Sequence, residues 1–153
     1  MASSIGACPL RARVDPRLIR FSAGATAIVL VVVLLLVEIA RPLALFLLAT
    51  QVAVFGFTAF VSFQWSVWAQ LFARVIWPRL TAPAELRDAK PPRFAQLVGF
   101  VLTAVALIAF AVGLDVAGYV LTAIAVGGAA LNAGTGLCVS CRLYVRMRPG
   151  RPA

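Results

Sequence analysis

The chain has 153 residues, a formal charge of +9 and a mean hydropathy of +1.01; 63% of its residues are hydrophobic and only 12% are charged. Soluble domains are roughly 45–50% apolar and about 25% charged. This composition therefore excludes an ordinary soluble domain, a disordered tail and a disulfide-knotted secreted domain, and indicates a small integral membrane protein. With no His, triads, general bases and metal sites that need imidazole are also excluded, leaving three Cys, five carboxylates, hydroxyls and backbone.

In chain order, residues 1–14 read as a flexible cytoplasmic tail carrying Cys8. Four long gaps without charge follow, and each is long enough for a helix that crosses about 30 Å of hydrocarbon. The expected spans are residues 21–37, 43–63, 94–114 and 116–137, within a membrane domain of residues 15–148; residues 149–153 form a C-terminal tail. Arg11–Arg20 before an apolar run resembles a signal peptide, but Arg41-Pro42 blocks the apparent cleavage site, so the first helix is expected to be retained. Backbone groups in lipid must be satisfied within the segment, so these spans are helical. The expected fold is all-α: a four-helix transmembrane bundle of two antiparallel hairpins.

After the second span, Trp65, Trp68, Phe72 and Ile76 recur at helical spacing with Gln64, Gln70 and Arg74 between them. This pattern predicts an amphipathic helix lying at the membrane interface. The segment 78–92 is rich in Pro and reads as a loop. Of the 14 basic residues, 13 lie in the N-terminal segment, this central region or the C-terminal segment, and only Arg41 lies on the other side. The positive-inside rule then places both termini and the central loop in the cytoplasm. The net charge is accounted for by a cytoplasmic skirt facing anionic lipid headgroups, and no folded module remains to present it to nucleic acid. Glu38, Arg41 and Asp115 flank the two outer turns as charges that end the spans.

Both hairpins begin with similar strings, Pro16-Arg17-Leu18-Ile19-Arg20-Phe21 and Pro91-Pro92-Arg93-Phe94. An internal duplication would produce such a match, and so would the shared physics of a membrane edge. The fourth span is rich in small residues: Gly118, Gly127, Gly128, Ala129, Ala130, Ala133, Gly134 and Gly136. Small residues let helix backbones approach in lipid, which predicts a central position for this helix. Asn132 within it is expected to pair across helices, with Gln51 or a backbone carbonyl.

Cys138-Val139-Ser140-Cys141 forms a C-x-x-C at the end of the fourth span. Two thiols at this spacing suit thiol–disulfide exchange, because one attacks and the other resolves the mixed disulfide. Cys138 and Cys141 are the candidate redox pair, and Arg142, Asn132 and Cys8 are candidate modulators. The attacking thiol is expected to be Cys141. If the fourth helix continues through the pair, its dipole opposes a thiolate; if Gly134-Thr135-Gly136 breaks it first, Cys138 lies at a new helix start and the dipole favours one. Packing of two small apolar side chains is an alternative, as is a metal site pooling thiols from two chains.

Asp15-Pro16-Arg17 with Arg20-Phe21, Pro78-Arg79-Leu80, Pro83-Ala84-Glu85, Asp88-Ala89, Pro92-Arg93-Phe94-Ala95-Gln96, Leu131-Asn132-Ala133 and Gly136-Leu137-Cys138-Val139-Ser140-Cys141 together resemble the bacterial integral membrane family called domain of unknown function 4395, especially its actinobacterial members. The resemblance implies a four-span membrane protein. In the family pattern a Gly precedes the second Cys and an acidic residue often follows it; here Ser140 and Arg142 take those positions. Two function classes follow: a thiol–disulfide or sulfur-relay protein working with a thioredoxin-like or sulfurtransferase partner, and a non-catalytic scaffold whose cysteines pack or bind metal. No cofactor is implied, and a homo-oligomer is left open.

Overall fold

The computed structural model describes residues 13–61, 66–79, 87–88 and 90–147. Four long helices, α1 (Pro16–Leu36), α2 (Arg41–Phe60), α4 (Lys90–Ala111) and α5 (Asp115–Thr135), are each long and apolar enough to cross a membrane. The chain is an all-α membrane protein. Two shorter helices, α3 (Val67–Val75) and α6 (Val139–Met147), follow the first and second hairpins, and β1 (Arg13–Val14) pairs antiparallel with β2 (Arg87–Asp88).

The local chemistry sets these limits. Asp15 caps α1 by accepting from the amide of Arg17 at 2.8 Å, and Pro16 occupies the first turn, where its missing N–H costs nothing. For the same reason Pro91 and Pro92 fall in the first turn of α4, so the helix begins before the expected loop of residues 78–92 has ended. Most of that loop, together with Trp65 and Gln64, lies outside the described residues. Gly136 ends α5 with φ 71°, a left-handed conformation that glycine adopts at little cost, and its amide donates to the Asn132 carbonyl at 3.0 Å. The predicted amphipathic helix is present as α3. Ser66 caps it, and Ala69 and Phe72 bury against Leu18 of α1 while Gln70 and Arg74 are exposed.

The two halves repeat one another closely. Each is a hairpin of two spans followed by a nine-residue helix. α1 packs on α5 as α4 packs on α2, and α3 lies on α1 as α6 lies on α4. Phe21 packs against Phe72 in a tilted pair with ring centroids 5.6 Å apart, and Phe94 packs in the same tilted way against Tyr144 at 5.4 Å. Arg20 donates to the carbonyls of Ala133 and Gly134 at the end of α5, while Arg93 reaches the Val61 carbonyl at the end of α2. Leu30 and Val33 of α1 and Val37 at its C-terminal cap are buried, and so are Thr103, Ala106 and Phe110 of α4, at one constant step along the chain. The Arg-Phe strings that open the hairpins are thus the visible part of a longer internal correspondence.

The main core contains Leu30, Val33, Val37, Ala44, Leu48, Ala106 and Phe110, and lies toward the end of the bundle where the two hairpin turns are. One expectation fails. α5 is not central: only Gly118 and Thr122 are buried on it, and a Cβ placed on Gly127, Gly128 or Gly134 would meet no atom within 4 Å. Small residues permit close approach but also leave room: Gly24 of α1 lies against Ala133, whereas Gly127, Gly128 and Gly134 face no neighbouring side chain. Nor does Gln51 pair with Asn132; its amide donates to Thr26 Oγ1 at 3.3 Å, joining α2 to α1.

Candidate functional site

The break at Gly136 resolves the ambiguity around the cysteines. α5 ends at Thr135, and α6 begins at Val139. Cys138 therefore occupies the N-cap position: its carbonyl accepts from the Arg142 amide at 3.0 Å, and its Sγ accepts from the Cys141 amide at 3.2 Å. The sulfurs of Cys138 and Cys141 are joined in a disulfide, with Cα atoms 5.1 Å apart. Both residues are half-buried, whereas Arg142 is exposed. Cys138 thus lies at the start of α6, at the positive end of that helix's dipole.

The corresponding place in the first half provides an internal control. Ser66 caps α3 there, and the Ala69 amide donates to its Oγ at 3.2 Å. Ser66 thus corresponds to Cys138, and Ala69 to Cys141. Ser is among the preferred capping residues, and Cys is not. The fold builds this helix start with Ser and Ala in one half and with two thiols in the other.

Between the helices, a half-open cavity of about 370 Å³ begins at Cys138. Thr26, Phe55, Gly99, Ala129 and Asn132 line it, and Cys138, Val139 and Ser140 form one end. The repeat explains why it is hollow. In the first half, the Phe55 ring lies so close to Gly99 that a Cβ there would be 2.8 Å away. Counted equally from the starts of α2 at Arg41 and α5 at Asp115, the counterpart of Phe55 in the second half is Ala129, so the equivalent space beside Thr26 is left unfilled. Asn132 faces this space and makes no side-chain hydrogen bond with the described residues, and Gln96 on α4 is a second amide in the lining. Sequence reasoning missed Gln96, although a polar residue one turn inside a span was a usable signal.

At the opposite end, Arg41 and Asp115 form an ion pair, with Nη2–Oδ1 at 2.6 Å and Nη1–Oδ2 at 3.3 Å, and Arg41 also donates to the Phe110 carbonyl. Tyr119 donates to Glu38 at 2.6 Å. These charges end the spans, as expected, and also tie the two turns together. Cys8 lies outside the described residues. Among those residues, no group of three or more Cys, Asp or Glu is placed to hold a metal ion.

A family model described as Domain of unknown function (DUF4395) matches residues 14–148. Comparison with curated proteins and with solved structures returns no match. The chain belongs to the DUF4395 family.

Proposed function

We propose that this DUF4395 member is a membrane thiol–disulfide exchange protein whose Cys138/Cys141 pair works at the cytoplasmic face with a soluble thioredoxin-like or sulfurtransferase partner. The observation that supports this reading most is the replacement of the Ser66/Ala69 cap by two bonded cysteines at the same place in the repeat. Capping alone needs no sulfur, so the thiols add a chemistry that the fold does not require. The cytoplasmic orientation rests on the distribution of basic residues. In it, Arg74, Arg142 and Arg146 of the two short helices, all exposed, lie beside anionic headgroups.

In this reading Cys138 attacks and Cys141 resolves, the reverse of the assignment made from sequence, because Cys138 holds the favourable end of the helix dipole. A thiolate of Cys138 attacks a partner disulfide, forming a mixed disulfide and releasing one partner thiolate. Cys141 then displaces the second partner sulfur and closes the Cys138–Cys141 bond. Replacing the resolving thiol halts this sequence midway. Cys141→Ser should accumulate a mixed disulfide between Cys138 and a cytoplasmic thiol protein, detectable by non-reducing electrophoresis and mass spectrometry. A trap seen only with Cys138→Ser would reverse the assignment. If neither variant traps a partner and the double Ser variant keeps full function and stability, the cysteines serve packing in a scaffold. Reporter fusion after Arg151 should show a cytoplasmic C-terminus.

A further inference from the structure

We propose that the cavity beside Cys138 binds a lipid-soluble quinone, which accepts the two electrons of the cysteine pair. This rests on the redox reading above, with the exchange running in its reverse direction: a partner dithiol reduces the Cys138–Cys141 bond and leaves as a disulfide, and the quinone is the oxidant that takes those two electrons from the pair. The cavity opens among spanning helices, where a hydrophobic molecule can enter from the bilayer, and about 370 Å³ falls in the usual range for small-molecule sites. Its walls are mostly apolar: Ala23, Phe55, Leu102, Ile124 and Ala129. The polar groups are few and lie toward the cysteine end. Asn132 and Gln96 bring amide donors suited to the carbonyl oxygens of a flat dione ring. An amide left without a partner at this depth is costly, and a carbonyl ligand removes that cost.

The reaction balances within the site. Two S–H bonds break and one S–S bond forms between Cys138 and Cys141. The two electrons and two protons released convert the quinone's two carbonyls to hydroxyls, giving the quinol. Cys138 is the sulfur that lines the cavity, so electron transfer occurs there, while Cys141 closes the disulfide from the first turn of α6. The phenyl ring that fills the equivalent space in the first half is missing where the thiols are. The hollow and the thiols therefore occur together in one half of the repeat.

The test uses the full-length protein in lipid nanodiscs, reduced and freed of reductant. A fully substituted benzoquinone with a decyl tail is then added, because substitution at every ring carbon prevents simple alkylation of the thiols. The expected result is one quinol per chain, read from the ultraviolet spectrum, with the Cys138–Cys141 disulfide re-formed by mass spectrometry. Ala129→Phe places in the cavity the side chain its counterpart carries, and Gly128→Leu fills it from a position where a Cβ meets open space. Each should slow quinol formation about tenfold or more through displacement of the ring, while oxidation of the pair by oxidised glutathione keeps its rate. Equal quinone rates in the wild type and both variants would overturn the cavity as the site. Exchange with glutathione but no quinol, as expected if only lipid chains fill the cavity, would overturn the quinone and leave the exchange reading standing. Loss of both reactions in the wild type would overturn the exchange reading itself.

Discussion

The two ends of this bundle are built differently. At the turn end, Phe110, Val33, Val37 and Leu48 are buried together, a Cβ on Gly118 would sit 2.7 Å from the Phe110 ring, and the ionic groups of Arg41 and Asp115 satisfy each other. At the other end the packing loosens: the helices leave a cavity, and a cysteine pair lies at its edge. A membrane bundle gains little from burying one apolar surface against another, because lipid is equally apolar, so its stability depends on close contact and on satisfied polar groups. Both are concentrated at the turn end.

Substitutions at matched glycines should separate the two ends most clearly. Gly118→Leu forces bulk into the Phe110 ring and should cost about 3 kcal/mol, whereas Gly127→Leu projects into open space and should stay within about 0.5 kcal/mol; unfolding in detergent measures both. Similar losses at the two positions would erase the contrast between a tight end and a loose one. A smaller effect is expected from Arg41→Ala, which leaves Asp115 and the Phe110 carbonyl without their donor. It should lower the thermal midpoint less than Gly118→Leu, and the difference from wild type should shrink as salt is raised, because both side chains are partly exposed. The smallest effect should come from Gln51→Leu, which removes the hydrogen bond to Thr26 and should cost about 0.6 kcal/mol, the average for such bonds between membrane helices.

The spans were legible because a missing charge over twenty residues has few other physical explanations. α3 was legible because its Trp and Phe spacing matched a helix period. α6 was not: it is short, its polar and apolar residues alternate over little more than two turns, and its start depends on the left-handed backbone at Gly136, a conformation the sequence permits without requiring. The pairing of Arg13–Val14 with Arg87–Asp88 was equally hidden, since two residues per strand show no periodicity. The position of α5 was misread because glycine content shows how near a neighbour could come, and neighbours come near at Gly118 and Ala133 but not at Gly127, Gly128 or Gly134. The Cys pair itself was plain, but its place at a helix start, the Ser66 counterpart and the hollow at Ala129 became visible only in three dimensions.

Within the first hairpin, α1 and α2 pack less extensively on each other than α1 does on α5 or α2 does on α4. The ribosome delivers α1 and α2 to the bilayer before α4 and α5 exist, and during that interval the Gln51–Thr26 bond is a hydrogen bond already available between them. Arg20 must then wait for the last turn of α5 before it finds the carbonyls of Ala133 and Gly134. A nascent chain thus has neither the cysteine pair nor the helix ends that hold it until its final span has been inserted, so the loose end of the bundle is completed last.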